Sequence, residues 1–153
     1  MRFSCLPLAC GVLAAASVSA QERPDFSGEW VRVGPLPETE AALVVRQGAR
    51  SITIDAKSSP GPRPGVYGVG TSGGVVADAI DGCGGSSLRW MWNRSDATLI
   101  VTHQQTICSD RETKQSKHQE LWSLDTDRLL VIVITDEETG AAATTTRLVY
   151  RRR

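Results

Sequence analysis

Two histidines, His103 and His118, are the only imidazole side chains in the 153-residue chain. Each lies in a segment in which apolar and polar residues alternate, 98–106 and 117–124, and such alternation predicts a strand with one buried face. Glu120 shares the face of His118, because side chains two positions apart along a strand point the same way. The other residues on these two faces are Leu99, Val101, Trp122 and Leu124.

A turn at 109–112 would set the register of these two segments. It pairs Cys108 with Thr113 and places His103 directly opposite His118, with Cβ atoms about 5 Å apart. Two imidazoles beside a carboxylate are suitable ligands for a divalent transition metal. The alternative is a polar pair, with one imidazole hydrogen-bonded to the neighbouring carboxylate. The pattern favours contact with an organic ligand over metal coordination, so we assign no metal and no cofactor.

Other catalytic patterns are weaker. Asp78 and Asp81 lie an odd number of residues apart, which does not favour a pair of cooperating carboxylates on one strand face. The acidic residues 136–138 are interpreted as part of a solvated turn. No strand–nucleophile–helix sequence is found. We therefore assign no catalytic residue, and the sequence favours a protein that is not an enzyme.

Alternation with a period of two continues along most of the chain, and no helical stripe follows the N-terminal segment. Short polar connections join the segments as antiparallel hairpins. The sequence predicts an all-β fold, a single antiparallel up-and-down meander barrel of about 8–10 strands, because closure removes the exposed edges. The predicted strands are 27–33, 42–47, 51–56, 65–70, 74–80, 87–93, 98–106, 117–124, 128–135 and 144–151.

Residues 57–87 interrupt this rhythm with a Gly/Pro-rich composition. Proline cannot donate a hydrogen bond within a sheet, and glycine permits unusual backbone angles. We expect a long, mobile excursion from the barrel, tethered at its far end by Cys83.

The N-terminus has the composition of a secretory signal. Arg2 precedes an apolar run at 6–16, and small residues occupy 17–20, which together predict a signal peptide cleaved after residue 20. The apolar run is too short to span a bilayer. Removing residues 1–20 from 153 leaves 133 residues, 21–153, a length that fits one domain. We expect a soluble, exported protein of the periplasm or the extracellular space, without a membrane span.

Cys83 and Cys108 are the only cysteines beyond the predicted signal peptide. An oxidising compartment favours a disulfide between them. Without Arg2 the chain has 16 Lys+Arg against 17 Asp+Glu, and the basic tail 151–153 is short for nucleic-acid binding. We therefore expect no nucleic-acid partner.

Two short phrases carry a resemblance to a known family. The stretch 24–30 reads Pro-Asp-Phe-Ser-Gly-Glu-Trp, and 120–124 reads Glu-Leu-Trp-Ser-Leu. Together with the all-β meander, these phrases resemble small exported bacterial lipocalin-like proteins, which belong to the calycin type of β-barrel. In that type a Gly-x-Trp motif begins the first strand, and Gly28 and Trp30 match it.

The resemblance implies a structural role for these residues. Trp30 would close one end of the barrel, and an arginine of the last strand, either Arg147 or Arg151, would stack across its indole. Fold alone does not determine function, so the resemblance supports a barrel more directly than a transport role.

Strand parity then selects the residues that face the interior. Arg32 shares the face of Trp30, and Trp90 shares the face of Trp92. We expect non-covalent binding of a small hydrophobic or amphipathic molecule inside the barrel, with apolar walls and a few polar groups. The alternatives are a filled barrel that acts as a protein-interaction or inhibitor module and, less favoured, a metal-dependent enzyme built on the histidine pair. The expected ligand contacts are Arg32, Trp90, Trp92, His103, His118, Glu120 and Trp122.

Overall fold

The structure is a computed structural model that describes residues 23–34, 42–57, 61–68, 74–80, 84–93, 97–108 and 112–153. Within these ranges the regular elements are ten β-strands, and no helix occurs. The strands are β1 (Gly28–Arg32), β2 (Ala42–Gln47), β3 (Ser51–Ala56), β4 (Gly65–Gly68), β5 (Gly74–Ile80), β6 (Gly84–Asn93), β7 (Thr98–Cys108), β8 (Thr113–Leu124), β9 (Leu130–Glu138) and β10 (Thr144–Arg152).

The strands form one antiparallel up-and-down sheet that curls into a nearly closed barrel. Its order is β4-β3-β2-β1-β10-β9-β8-β7-β6-β5, so β10 returns to pair with β1 and the two edge strands come from the middle of the chain. The predicted all-β meander of eight to ten strands is confirmed. In the part of the chain that the structure describes, no helix has the length and apolarity to cross a membrane.

The Gly/Pro-rich segment 57–87 is more regular than expected. It contains β4, β5 and the first residues of β6, so it supplies both edges of the sheet instead of one long loop. The prolines precede β4 and leave Gly65–Gly68 able to pair with β3. Glycine also suits the place where β4 approaches β6, because a Cβ on Gly68 would lie 3.2 Å from the Trp90 ring and the indole would have to shift slightly.

The strands differ in length, and this gives the barrel two unlike ends. Strands β1–β4 have four to six residues, whereas β7–β10 have nine to twelve. We call the end at Phe26, Trp30 and Leu130 the floor, and the end at His103 and His118 the mouth. The long strands therefore form a taller wall on one side of the mouth.

A packed apolar core extends from the floor toward the mouth. Alternate residues of each strand point inward, and fifteen buried side chains form one cluster among the described residues. Its largest fully buried members are Trp30, Trp122, Tyr150 and Phe26. Burial of this aromatic and aliphatic surface is the main favourable term in the folding of such a domain.

Gly28, Trp30 and Arg152 together close the floor. The Trp30 indole Nε1–H donates to the Phe26 carbonyl at 2.8 Å, and the Arg152 guanidinium lies over the ring, 5.0 Å from its centroid. Gly28 has φ = +135°, and a Cβ there would lie 3.3 Å from Arg152 Nε. A side chain at this position would therefore strain the backbone and crowd the arginine.

The arginine over Trp30 is Arg152, so the expectation of Arg147 or Arg151 is wrong. Trp30 is paired with Arg152, and Val31 with Arg151. Parity therefore places Arg151 and Arg147 on the opposite face of β10, where both are exposed.

Cys108, the last residue of β7, is disulfide-bonded. Cys83 lies outside the described residues, so the Cys83–Cys108 pairing itself stays a prediction. The sheet register is consistent with it, since the paired residues Gly85 and Thr106 each lie two positions from one of these cysteines.

Candidate functional site

The predicted register of the β7–β8 hairpin is confirmed. Cys108 is paired with Thr113, and His103 with His118. The same ladder places Val101 opposite Glu120 and Leu99 opposite Trp122. Inward-facing residues of β8 therefore run from His118 at the mouth, through Glu120, to Trp122 in the core.

Glu120 is a fully buried carboxylate at the boundary between the mouth and the apolar core. Its Oε1 accepts hydrogen bonds from the Arg63 backbone N–H at 2.7 Å and from His118 Nε2 at 2.9 Å. Its Oε2 accepts one from the Trp122 indole Nε1–H at 2.8 Å. A buried carboxylate is costly unless it is hydrogen-bonded and paired, and here both oxygens have donors.

His118 bridges two carboxylates. Its Nδ1 contacts Asp136 Oδ1 at 2.7 Å, and its Nε2 contacts Glu120 Oε1. Carboxylate oxygens accept hydrogen bonds, so this geometry favours donation by both ring nitrogens and therefore the imidazolium form. The hydrogen bond to Glu120 raises the pKa of His118 above its ordinary value; burial opposes the rise, and Asp136 adds to it.

His103 has the opposite environment. The Arg63 guanidinium Nη1 lies 2.7 Å from His103 Nδ1. Arginine has no acceptor, so Nδ1 must accept, which favours the neutral ring with its proton on Nε2. Burial lowers the pKa of His103, and the positive charges of Arg63 and His118 lower it further. Two histidines that face each other across a hairpin therefore favour different protonation states.

The hypothetical metal site is not assembled by this geometry. Carboxylates engage both nitrogens of His118, and Arg63 engages Nδ1 of His103. Within the described ranges, no group of three or more His, Cys, Asp or Glu side chains is arranged to hold a metal ion.

Residues 61–64 pass over the mouth and contribute the residue that the sequence analysis missed. Arg63 donates its backbone N–H to Glu120, its side chain to His103, and its carbonyl accepts from the Tyr67 hydroxyl at 2.9 Å. We call residues 61–64 the strap. Arg63 lies between two prolines in a segment without strand pattern, and no sequence signal placed it near the histidines.

Asp136 was also missed, because residues 136–138 were interpreted as a turn. They belong to β9, which ends at Glu138, and Asp136 is paired with His118. Counting from the predicted strand ends, 124 and 128, would have placed His118 opposite Ile134, because the structure pairs Leu124 with Leu130 instead. The only signal for Asp136 was parity, since it lies two residues from Ile134 and shares its face.

The expected tryptophans line the interior in two groups. Trp122 is fully buried and belongs to the Glu120 network, while Trp90 and Trp92 are half-buried against the core. Trp92 stacks on Phe26 with ring centroids 5.7 Å apart, and Trp90 contacts Tyr67 at 6.3 Å. The indole nitrogens of Trp90 and Trp92 are buried, and neither has a hydrogen-bond partner among the described residues.

Arg32 lies apart from the histidine network, on β1 opposite Tyr150. The Tyr150 hydroxyl is buried and has no hydrogen-bond partner in the described part of the chain. Burial raises the pKa of Tyr150 to about 12; the charge of Arg32 lowers it and that of Glu120 raises it. The sequence analysis did not select Tyr150. Like the indole nitrogens of Trp90 and Trp92, its hydroxyl is a buried polar group without a hydrogen-bond partner among the described residues.

The fold and these contacts define a class: a small antiparallel β-barrel with an apolar floor and a buried, hydrogen-bonded carboxylate beneath its mouth. Comparisons with protein-family models, with curated proteins and with solved structures found no match.

Proposed function

We propose that the barrel binds a small, partly apolar ligand non-covalently in its interior. One observation carries the proposal: Trp90 Nε1, Trp92 Nε1 and the Tyr150 hydroxyl are buried without a hydrogen-bond partner in the described residues. An unpaired buried polar group costs about 1–3 kcal/mol, and native proteins contain few of them. A ligand with hydrogen-bond acceptors would pair these donors when it binds.

The surroundings of these groups indicate the chemical class of the ligand. Trp90 and Trp92 supply aromatic surface, and Phe26 and Tyr67 lie against them. Such walls favour a flat or aliphatic body, while a few polar groups set its orientation. The ligand proposed is a neutral or weakly polar molecule with carbonyl or ether oxygens.

The mouth network provides the way in. The strap is held over the interior by three Arg63 contacts, which join it to Glu120, to His103 and to the Tyr67 hydroxyl. Displacing the strap from the barrel wall would break the contacts to Glu120 and His103 and open the interior from the mouth. In this proposal His103, His118 and Glu120 control entry, and the indoles provide most of the binding surface.

The proposal includes export and a lipocalin-like family. The support is the Gly28–Trp30 motif with an arginine of the last strand over the indole, a feature that the resemblance implied. The predicted signal peptide, 1–20, lies outside the described residues, so export rests on the sequence.

A matched pair of tyrosine variants tests the ligand proposal. The probe is acedan, an uncharged fluorescent naphthalene with one carbonyl acceptor. Wild-type protein should bind it saturably with a blue-shifted emission. Tyr150→Phe should weaken binding about threefold to tenfold, the worth of one hydrogen bond, without lowering the melting temperature.

Tyr67→Phe is the control for stability, because its hydroxyl donates to the Arg63 carbonyl. It should lower the free energy of unfolding by about 1 kcal/mol. Equal destabilisation by Tyr150→Phe would contradict the proposal, because the Tyr150 hydroxyl would then have a structural partner. Absence of saturable acedan binding to the wild type, together with a bare mass for protein purified from the exported fraction, would also contradict it.

A second candidate is a protein-interaction module with a filled barrel. Its support is the continuous apolar core at the floor, together with two exposed apolar side chains on outer faces, Val66 at 67% and Met91 at 45% exposure. They lie on β4 and β6, near the seam where the two sheet edges approach. Native mass spectrometry separates the candidates: a co-purifying small mass supports the ligand function, and a protein adduct lost in Val66→Asn supports the interaction module.

A further inference from the structure

A groove of about 720 Å³ lies on the outer side of the floor, away from the mouth. It is bounded by residues 23–25, by the end of β10 and by the β8–β9 turn. Its volume falls within the range of roughly 300–1,000 Å³ that small-molecule sites occupy. The interior function proposed above makes no use of it.

The groove is strongly cationic in an otherwise balanced chain. Four arginines line it, namely Arg23, Arg128, Arg151 and Arg152, against only two carboxylates, Asp25 and Asp127. Four positive charges less two negative charges leave a net charge of +2 for the lining residues. The basic tail therefore does not simply project into solvent, since two of its residues form part of a concave surface.

The β8–β9 turn presents Arg128 in a fixed conformation. Asp125 Oδ1 accepts hydrogen bonds from the backbone N–H groups of Asp127 and Leu129, at 3.0 and 2.8 Å. Arg128 has φ = +60°, the left-handed region that few residues other than glycine adopt. Its side chain is exposed and forms no ion pair with a described residue.

Arg152 is also held in place at the groove. It lies over the Trp30 indole, and its Nη2 donates to the Asp25 carbonyl at 3.2 Å. Arg128 and Arg152 are therefore already positioned before a ligand binds, which reduces the entropy lost when an anion binds. The groove also has an apolar side, formed by Leu124 and Leu129 beside Trp30.

We propose that this groove is a binding site for an amphiphile with a phosphate-ester headgroup. Guanidinium groups bind phosphate oxygens in bidentate geometry. A phosphate monoester carries about −1.5 to −2 charges at neutral pH, which matches the net charge of the lining. The apolar part of the ligand would lie against Leu124 and Leu129. The phosphate ester is either a soluble metabolite or the headgroup of an anionic lipid.

Isothermal titration calorimetry with decyl phosphate, below its micelle concentration, tests the site. The wild type should bind one equivalent, and decyl glucoside and inorganic phosphate should each bind at least tenfold more weakly. Arg128→Gln and Arg151→Gln should each weaken binding about tenfold or more. Arg147→Gln is the matched control, because Arg147 is an exposed arginine of β10 outside the groove, and it should bind like the wild type.

The indole N–H signals in a ¹⁵N NMR spectrum locate the binding. Decyl phosphate should shift the Trp30 signal, at the floor, and leave that of Trp90 in place. The Trp92 signal does not separate the two sites, because Arg23, which lines the groove, lies 5.7 Å from the centroid of the Trp92 ring. Binding to phosphatidic acid vesicles in a sedimentation assay would identify a lipid headgroup as the source, because phosphatidic acid is also a phosphate monoester. Binding of dissolved decyl phosphate without binding to these vesicles would identify a soluble ester.

Any of three calorimetric results would overturn the site: no saturable binding of decyl phosphate, equal weakening by Arg147→Gln, or equal binding of decyl glucoside. In the NMR spectrum, a shift at Trp90 in place of Trp30 would also overturn it, and would favour the interior site instead. The two proposals therefore fail separately.

Discussion

The side chains at the floor of this barrel are held by apolar packing, whereas those at its mouth are held by hydrogen bonds. At the floor, Trp30, Phe26 and Trp122 pack among aliphatic side chains, and this contribution scales with the apolar area removed from water. At the mouth, Glu120 and His118 form directional hydrogen bonds whose strength depends on which groups carry protons. Trp122 belongs to both regions, since its ring is in the core and its indole N–H donates to Glu120.

The floor and the mouth differ in how their stabilising interactions respond to solution conditions. Apolar packing is non-directional and does not depend on pH, so the floor is suited to closing the barrel permanently. A buried polar network stabilises only while every member is paired, and losing one member leaves the others unsatisfied. The mouth is therefore the part of the barrel that ligands or pH can alter.

Truncation at the floor should have the largest effect. Trp30→Ala removes a fully buried ring and the platform for Arg152, and should lower the free energy of unfolding by roughly 3–5 kcal/mol. Urea denaturation measures the loss. Met91→Ala, at a side chain that is 45% exposed, is the control and should change stability by less than about 1 kcal/mol. An unchanged Trp30→Ala melting curve would show that this ring does not close the barrel.

Replacement of the buried carboxylate should have the next largest effect. Glu120→Gln introduces an amide –NH₂ toward at least one of three donors, and should cost about 2–4 kcal/mol at neutral pH. Glu120→Gln should also release the strap, which increased amide exchange at Arg63 would reveal. If both stability and exchange stayed at wild-type values, the network would not support the mouth.

The two histidines should contribute to pH dependence with opposite signs. The folded pKa of His118 is raised by Glu120, so its stabilisation is fully present below pH 6.5 and is lost as pH rises through the folded pKa. Relative to His118→Gln, the wild type should therefore be most stable in acid. The groups that face this imidazole are Glu120, Asp136 and His103.

For His103 the folded pKa is lowered by burial and by Arg63. The unfolded chain then binds more protons as pH falls below about 6.5, so the wild type loses stability relative to His103→Gln in that direction. Urea denaturation at a series of pH values measures both differences. Parallel curves for the two variants would contradict the assigned protonation states.

The smallest effect should come from the arginine that covers Trp30. Arg152→Gln removes an exposed cation–π contact and one hydrogen bond to the Asp25 carbonyl, and should cost about 0.5–1 kcal/mol. Arg147→Gln on the same strand should have no measurable effect on stability. If Arg147→Gln were instead the more destabilising change, the register at the end of β10 would be wrong.

Much of the fold could be predicted because strand periodicity is a local property. The boundaries of β2, β3 and β5 coincide with the predicted ones, and the β7–β8 register followed from counting back from the turn. The β10 arginine was predicted wrongly because the resemblance specifies a strand and not a position on it. Only pairing with β1 shows that Arg152, and not Arg151, shares the inner face with Trp30.

Alternation and turn residues determined that this chain forms an antiparallel barrel. The turn at 109–112 determined that His103 lies opposite His118, on the same face as Glu120. These features follow from bonded geometry and short-range pairing, which a sequence carries directly. The tertiary structure alone decided that Arg63 crosses the mouth to reach Glu120, fifty-seven residues away. It also decided that the pKa of His118 is raised and that of His103 is lowered. Such contacts depend on where a strand-free segment is placed once the barrel has closed, and no local pattern encodes that position.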